Sequence, residues 1–248
     1  MGGGKMNEYA PSYAEYGRIL EDIKRTGKLM DYRQAKTADE FIVLRHDIEF
    51  SVEKAAQMAE IERQHNVQSS YFVQVGSSAY NPFSERNKSL LRQMARNGHK
   101  IGLHYRQTDS SADISQQARL LADELGIQVD RFSCHRPIRE TQYELLSAPG
   151  LINAYSCEFF TRTDDPEAAE VKYISDSGAQ WNYGYPDAQT LTAHAKVQLL
   201  IHPFSWSEEG GLEAIFKALL REVEEEHMAT FRDELKRFKE IEEAIKHG

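Results

Sequence analysis

Four short polar clusters carry most of the chemistry open to this chain: Arg45-His46-Asp47-Ile48-Glu49, Gly98-His99-Lys100-Ile101-Gly102-Leu103-His104, Cys134-His135-Arg136-Pro137 and Ile201-His202-Pro203. Each closes a short apolar run. Acids and imidazoles at the ends of successive strands are how an α/β fold gathers a catalytic site from distant sequence. Asp47 and Glu49 lie two apart, so in extended backbone both side chains point the same way, and two such acids can divide the work of holding a metal and taking a proton. His104 follows Ile101-Gly102-Leu103, where the glycine permits close backbone approach. His202 is placed for acid or base catalysis, because an imidazole exchanges protons near neutrality. His99, in the turn before its strand, reads as a hydrogen-bonded turn or core histidine.

The elements that must position these residues alternate. Pro11 opens a helical segment with Tyr13, Tyr16, Leu20 and Ile23 on one face and Gly27 to end it. A strand from Phe41 to Arg45 precedes a helix capped by Ser51, and a strand from Ser70 to Val75 follows. Helix Lys88 to Arg96, strand Lys100 to His104, helix Ala112 to Leu125 and strand Arg131 to His135 continue the pattern. Further strands are expected at Ile152 to Ser156, Val171 to Ile174 and Val197 to Ile201, then a long helical face from Leu212 through Phe238 whose Glu222 to Glu226 run is its solvated side. Such alternation predicts parallel strands with right-handed crossovers.

At 248 residues the chain can bury a sizeable core. Its 39 acidic and 30 basic side chains give a net charge of -9, with no basic stripe to track a phosphate backbone, so nucleic acid is not the expected partner. No apolar run is long enough to span a bilayer, and no signal-peptide order is seen, which predicts a cytoplasmic protein. Met1-Gly2-Gly3-Gly4-Lys5 reads as an added leader, with residues 6–248 forming one domain that carries N-terminal and C-terminal packing helices. Cys134 and Cys157 lack the spacing of a disulfide framework or a thiolate metal site.

In order and spacing the clusters resemble the polysaccharide deacetylase superfamily, which shares the NodB homology domain with carbohydrate esterase family four, in its His-Asp-x-Asp branch. The likeness covers about Phe41 to Trp206. The segment from Gln64 to Val73 resembles the family's second strand, Gly98 to His104 its second motif, His135-Arg136-Pro137 its third, and Leu200-Ile201-His202-Pro203 its last. Asp176, with Trp181 beyond it, stands loosely for the fourth.

The resemblance implies a deformed (β/α) barrel of about seven parallel strands with the site at the strand C-termini. It implies a divalent metal, zinc in most members, held by Glu49, His104 and a third ligand. Asp47 would be the base, His202 the acid, and Arg136 or His135 the group that orients Asp47. Tyr105, Asp176, Trp181 and Trp206 are the expected substrate-binding residues. Two departures stand out. The second motif's later histidine is replaced by Thr108, so the third ligand must come from His135, Asp109 or His46; His135 is favoured because its motif ends at the same barrel face. Glu49 is one methylene longer than the usual aspartate, a shift of about one C-C bond or ~1.5 Å.

The implied activity is metal-dependent removal of an N-acetyl or related acyl group from an amino sugar, nucleotide-linked, lipid-linked or oligosaccharide, in surface-polysaccharide synthesis of the O-antigen or capsule type. Thr108 motivates the alternative of a catalytically impaired NodB-like protein that binds sugar or regulates. A third reading keeps the metal and changes the scissile bond to an ester or phosphoester.

Overall fold

The computed structural model describes residues 11–138, 140, 142–163, 169–208, 211–235 and 237–247. The expected leader lies outside them. Seven strands, β1 (Phe41–Ile48), β2 (Ser70–Val73), β3 (Lys100–Arg106), β4 (Arg131–His135), β5 (Ile152–Asn153), β6 (Val171–Ser175) and β7 (Lys196–Ile201), form one sheet in the order β5-β4-β3-β2-β1-β7-β6. Every pairing is parallel. The sheet curls but stays open, a half-barrel with β5 and β6 at its edges. The expected strand number and direction hold. The expected Ile152 to Ser156 strand shrinks to two residues, and β1 runs three residues past its expected end at Arg45.

Helices α1 (Tyr13–Thr26), α3 (Val52–Gln64), α4 (Glu85–Arg96) and α5 (Ser111–Leu125) each start at a serine cap, of which Ser51 was the one expected. Ser12, Ser51, Ser84 and Ser110 each accept a backbone N–H of the first turn, and Gly27 and Gly126 take the left-handed conformation that ends α1 and α5. Two short helices, α2 (Tyr32–Ala35) and α6 (Ala188–Ala193), were not expected. The long C-terminal face divides into α7 (Leu212–Glu234) and α8 (Phe238–His247), the chain turning at Leu235 with φ -109° and ψ 101°. Within the acidic run Glu222 departs from the expected solvated role. It accepts from Ser51 Oγ at 2.8 and 2.9 Å, tying α7 to the start of α3.

The two faces of β1 serve different layers. Tyr16, Ile19, Leu20 and Ile23 of α1 pack with Ile42, Leu44 and Met58 under the outer face. Full burial of such side chains stabilises by about 1.5–3 kcal/mol each. Within this outer layer lies a polar hub, because His46 points outward. Its Nε2 lies 2.6 Å from the Glu62 carboxylate, which also accepts from Tyr16, from Ser69 at 2.7 Å and from Tyr71 at 2.9 Å. His99 joins the hub at 3.2 Å from Glu62, as a core histidine.

On the inner face, register sets layers. Asp47 is level with Phe72, and Phe72 with Gly102. A Cβ at Gly102 would stand 2.6 Å from Arg131 Cγ and 2.8 Å from the Phe72 ring. Neither neighbour can retreat, since both are fully buried and Arg131 is pinned by Asp31, Asp130 and Ser70. Gly102→Ala therefore overpacks the layer beneath His104 and lowers stability by about 1–3 kcal/mol. Urea denaturation checks this; an unchanged midpoint contradicts it.

Candidate metal centre and proton-transfer groups

The site lies where β1, β3, β4, β6 and β7 end. Alternation along β1 sends Arg45 and Asp47 to the inner face, and Glu49, one residue past the strand, continues on that side. His104 comes from β3 and His135 from the last position of β4. Ligand atoms of Glu49, His104 and His135 all lie within 4.8 Å of one another. His135 Nδ1 is 3.1 Å from His104 Nε2 and 3.4 Å from Glu49 Oε1. Donors around a tetrahedral zinc at about 2.0–2.1 Å stand roughly 3.3–3.4 Å apart, so this spacing suits a divalent ion. A carboxylate with two imidazoles is also a chemically suitable donor set. His104 Nδ1 faces Ser133 Oγ at 2.8 Å, which fixes the ring and leaves Nε2 toward the cluster. Burial, reinforced by the charges of His135 and Arg45, holds His104 down to about 4, so at neutral pH it is the unprotonated imidazole that a metal requires.

Asp47 lies beside the cluster, with Oδ2 3.7 Å from His104 Nε2. Arg45, fully buried, donates to that oxygen at 2.7 Å and to Tyr155 OH at 3.1 Å, its guanidinium 4.4 Å from the Tyr155 ring centroid. Ser133 Oγ donates to the other carboxylate oxygen at 3.4 Å. Burial alone would raise the Asp47 pKa. The Arg45 cation, with His104 and His202, outweighs burial and brings it to about 2. Asp47 is thus ionised throughout the physiological range.

His202 follows β7, and its Nδ1 lies 2.7 Å from Asp176 Oδ1, just beyond β6. The His202 backbone N–H also donates to Asp176, at 2.9 and 3.1 Å, and Trp206 Nε1–H donates to Oδ2 at 2.9 Å. Burial lowers the His202 pKa, but the hydrogen bond and charge of Asp176 overcome that and raise it to about 9. His202 is therefore an imidazolium at neutral pH. One cavity of about 1170 Å³ is lined by Asp47, Glu49, His104, Arg136 and His202, with Phe204 and Phe216 at its wall.

No protein-family model matches the sequence, and no curated protein does. Several solved structures share the architecture at low identity. A Streptococcus pyogenes deacetylase in complex with acetate is 12% identical, with a TM-score of 0.40 over 50% of this chain and 62% of that one. This chain therefore spans less than two thirds of that structure's length. A Streptococcus mutans esterase of carbohydrate esterase family four is 11% identical, with a TM-score of 0.42 over 85% and 87%. A pseudoenzyme of the same family from Bacillus anthracis is 13% identical, with a TM-score of 0.37 over 74% and 62%. The strand order and the Glu49, His104 and His135 cluster in this chain decide the matter. The fold is NodB-like in topology, and a three-donor cluster lies at the ends of its strands.

Within this NodB-like site the structure gathers Asp47, Glu49, His104, His135 and His202. The other candidates for third ligand lie elsewhere: His46 points into the outer hub, and Asp109 accepts from the Arg106 backbone and from Gln117. Thr108 is exposed in the turn after β3. Arg136 lines the cavity but does not hold Asp47; Arg45 does. Three residues expected to touch substrate are placed otherwise. Tyr105 packs in the outer core with Ile114 and Phe132, Trp206 is fully buried against Tyr16 and Trp181, and Asp176 is occupied by His202 and Trp206. Trp181 packs between Tyr185 and Trp206 and is not among the cavity's lining residues.

Arg45 and Ser133 were missed by the sequence reading. The signal for Arg45 was available, since the spacing that aligns Asp47 with Glu49 also aligns Arg45 with Asp47. Ser133 follows from the same rule applied to β4, where it precedes His135 by two residues and lies level with His104.

Proposed function

We propose that the chain is a metal-dependent deacetylase that removes an N-acetyl or related acyl group from an amino sugar in surface-polysaccharide synthesis. The observation that supports this best is the placing of an ionised carboxylate and an imidazolium beside a set of three donors spaced for a divalent ion. Glu49, His104 and His135 would hold the ion. When bound, it polarises the acyl carbonyl and acidifies a water. Asp47 accepts the proton of the attacking water, and His202 delivers its proton to the departing nitrogen. Arg45 and Ser133 keep Asp47 in place and ionised, while Asp176 keeps His202 charged and oriented.

Burial of all but the rims of these groups limits water around the developing charge, which strengthens each interaction. The neighbouring deacetylase and esterase structures bear those names for their own activities; they agree with this reading. We extend it to a cytoplasmic precursor, nucleotide-linked or lipid-linked, as substrate. Activity on preformed polymer but on no precursor would reverse that extension.

The test is zinc stoichiometry after chelator stripping and reloading, paired with acyl release from N-acetylated sugar precursors. About one zinc per chain is expected, lost together with acyl release in His104→Ala. Retained zinc in that variant, or no acyl release from any N-acyl sugar by the loaded protein, overturns the proposal. Release from O-acyl substrates alone would move the scissile bond to an ester.

A further inference from the structure

We infer that Arg136 recognises an anionic group on the substrate, so that the cavity prefers an amino sugar bearing a phosphate or carboxylate over a neutral one. The inference rests on the proposed amino-sugar reading of the site. It begins from the partner of Asp47. Arg45 already supplies the counter-charge at 2.7 Å from within β1, so that carboxylate needs no second guanidinium. Arg136, immediately after His135, is left exposed on the cavity wall with φ 49°. Among the described residues no carboxylate pairs with it.

Its neighbour on the wall differs. Arg162 also lines the cavity, but its Nη1 lies 2.6 Å from Glu144. Arg136 is therefore the cavity's uncommitted cation among the described residues. A guanidinium offers a planar fork of donors that suits phosphate and carboxylate oxygens. On a chain of net charge -9, a local cation in a concave wall is what lets an anion approach. Space permits it as well. About 1170 Å³ exceeds the roughly 300–1,000 Å³ of an ordinary small-molecule pocket, leaving room beyond one sugar ring.

The experiment measures equilibrium binding of N-acetylglucosamine, its 1-phosphate and N-acetylglucosaminuronic acid to the full chain, both as purified and after metal stripping. The stripped chain removes direct anion–metal coordination and all turnover. Either anionic sugar should bind about tenfold more tightly than the neutral one, as a charge-assisted contact provides, and added salt should reduce the difference. Arg136→Gln should abolish the preference and leave neutral-sugar binding unchanged; Arg136→Lys should keep part of it. Which anion gains more assigns the group to a phosphate carrier or an acidic sugar. Circular dichroism and melting confirm that both variants are folded. Equal binding of all three sugars, no measurable binding of the anionic ones, a preference seen only with metal, or one that survives in Arg136→Gln overturns the inference. Failure of the hydrolase reading shows separately, as absent acyl release with the binding preference intact.

Discussion

Asp47→Asn lowers amide turnover by about 10²–10⁴-fold, the range general-base catalysis supplies, while zinc loading through Glu49, His104 and His135 persists. The separation of the two readouts follows from position. Asp47 lies 3.7 Å from His104 Nε2 and outside the three-donor cluster, so its amide analogue removes the proton acceptor without removing a donor. Stability also falls, because Arg45 is fully buried and loses its counter-charge, a change that typically costs about 3–5 kcal/mol. The double variant Arg45→Met with Asp47→Asn tests that origin: it recovers melting temperature but not activity. Undiminished turnover in Asp47→Asn removes Asp47 from the base role.

Asp176→Asn is expected to lower turnover about 30-fold at pH 8, the loss of protonated His202 as its pKa falls from about 9 to about 6.5, and to change the pH profile as well. The carboxylate holds the His202 pKa at about 9, so in the native protein the proton donor persists until the pH passes that value. An amide in its place lets the pKa fall toward the ordinary histidine value of about 6.5. The alkaline limb of the rate profile then moves down with it. The sign for stability is the same. A histidine raised on folding contributes most below its unfolded pKa, and that contribution is lost as pH rises from about 6.5 through about 9. Asp176→Asn should flatten this dependence. A merely structural role would weaken the protein without moving the limb, so an unmoved limb denies Asp176 the positioning of His202.

The five groups that converge at the site were legible because each ends a strand, and in a parallel sheet strand ends share one rim. What sequence withheld was direction and exposure. Trp206 and Tyr105 were expected to bind substrate, but residue type carries no sign of which layer receives a side chain. Trp206 instead spends its indole N–H on Asp176, and Tyr105 faces α5. The break between α7 and α8 was invisible for another reason: no glycine or proline lies between Leu212 and His247, so the apolar face continues in sequence through a turn it does not announce. Helices of four and six residues, such as α2 and α6, are too short to show a period at all.

The outward His46 between inward Arg45 and Asp47 makes the end of β1 polar on both sides, with a specified partner at each step. A slip of one residue would turn Arg45 and Asp47 into the outer layer and His46 toward the metal ligands. In most half-buried strands such an error trades apolar contact for solvent. Here it would leave Glu62 without its imidazole and carry the Arg45–Asp47 pair away from Tyr155 and Ser133, so buried charge loses partners on both sides at once. Each step at the end of β1 thereby specifies the alignment of the strand, and the residues proposed to serve the reaction are also those that disfavour the misregistered chain.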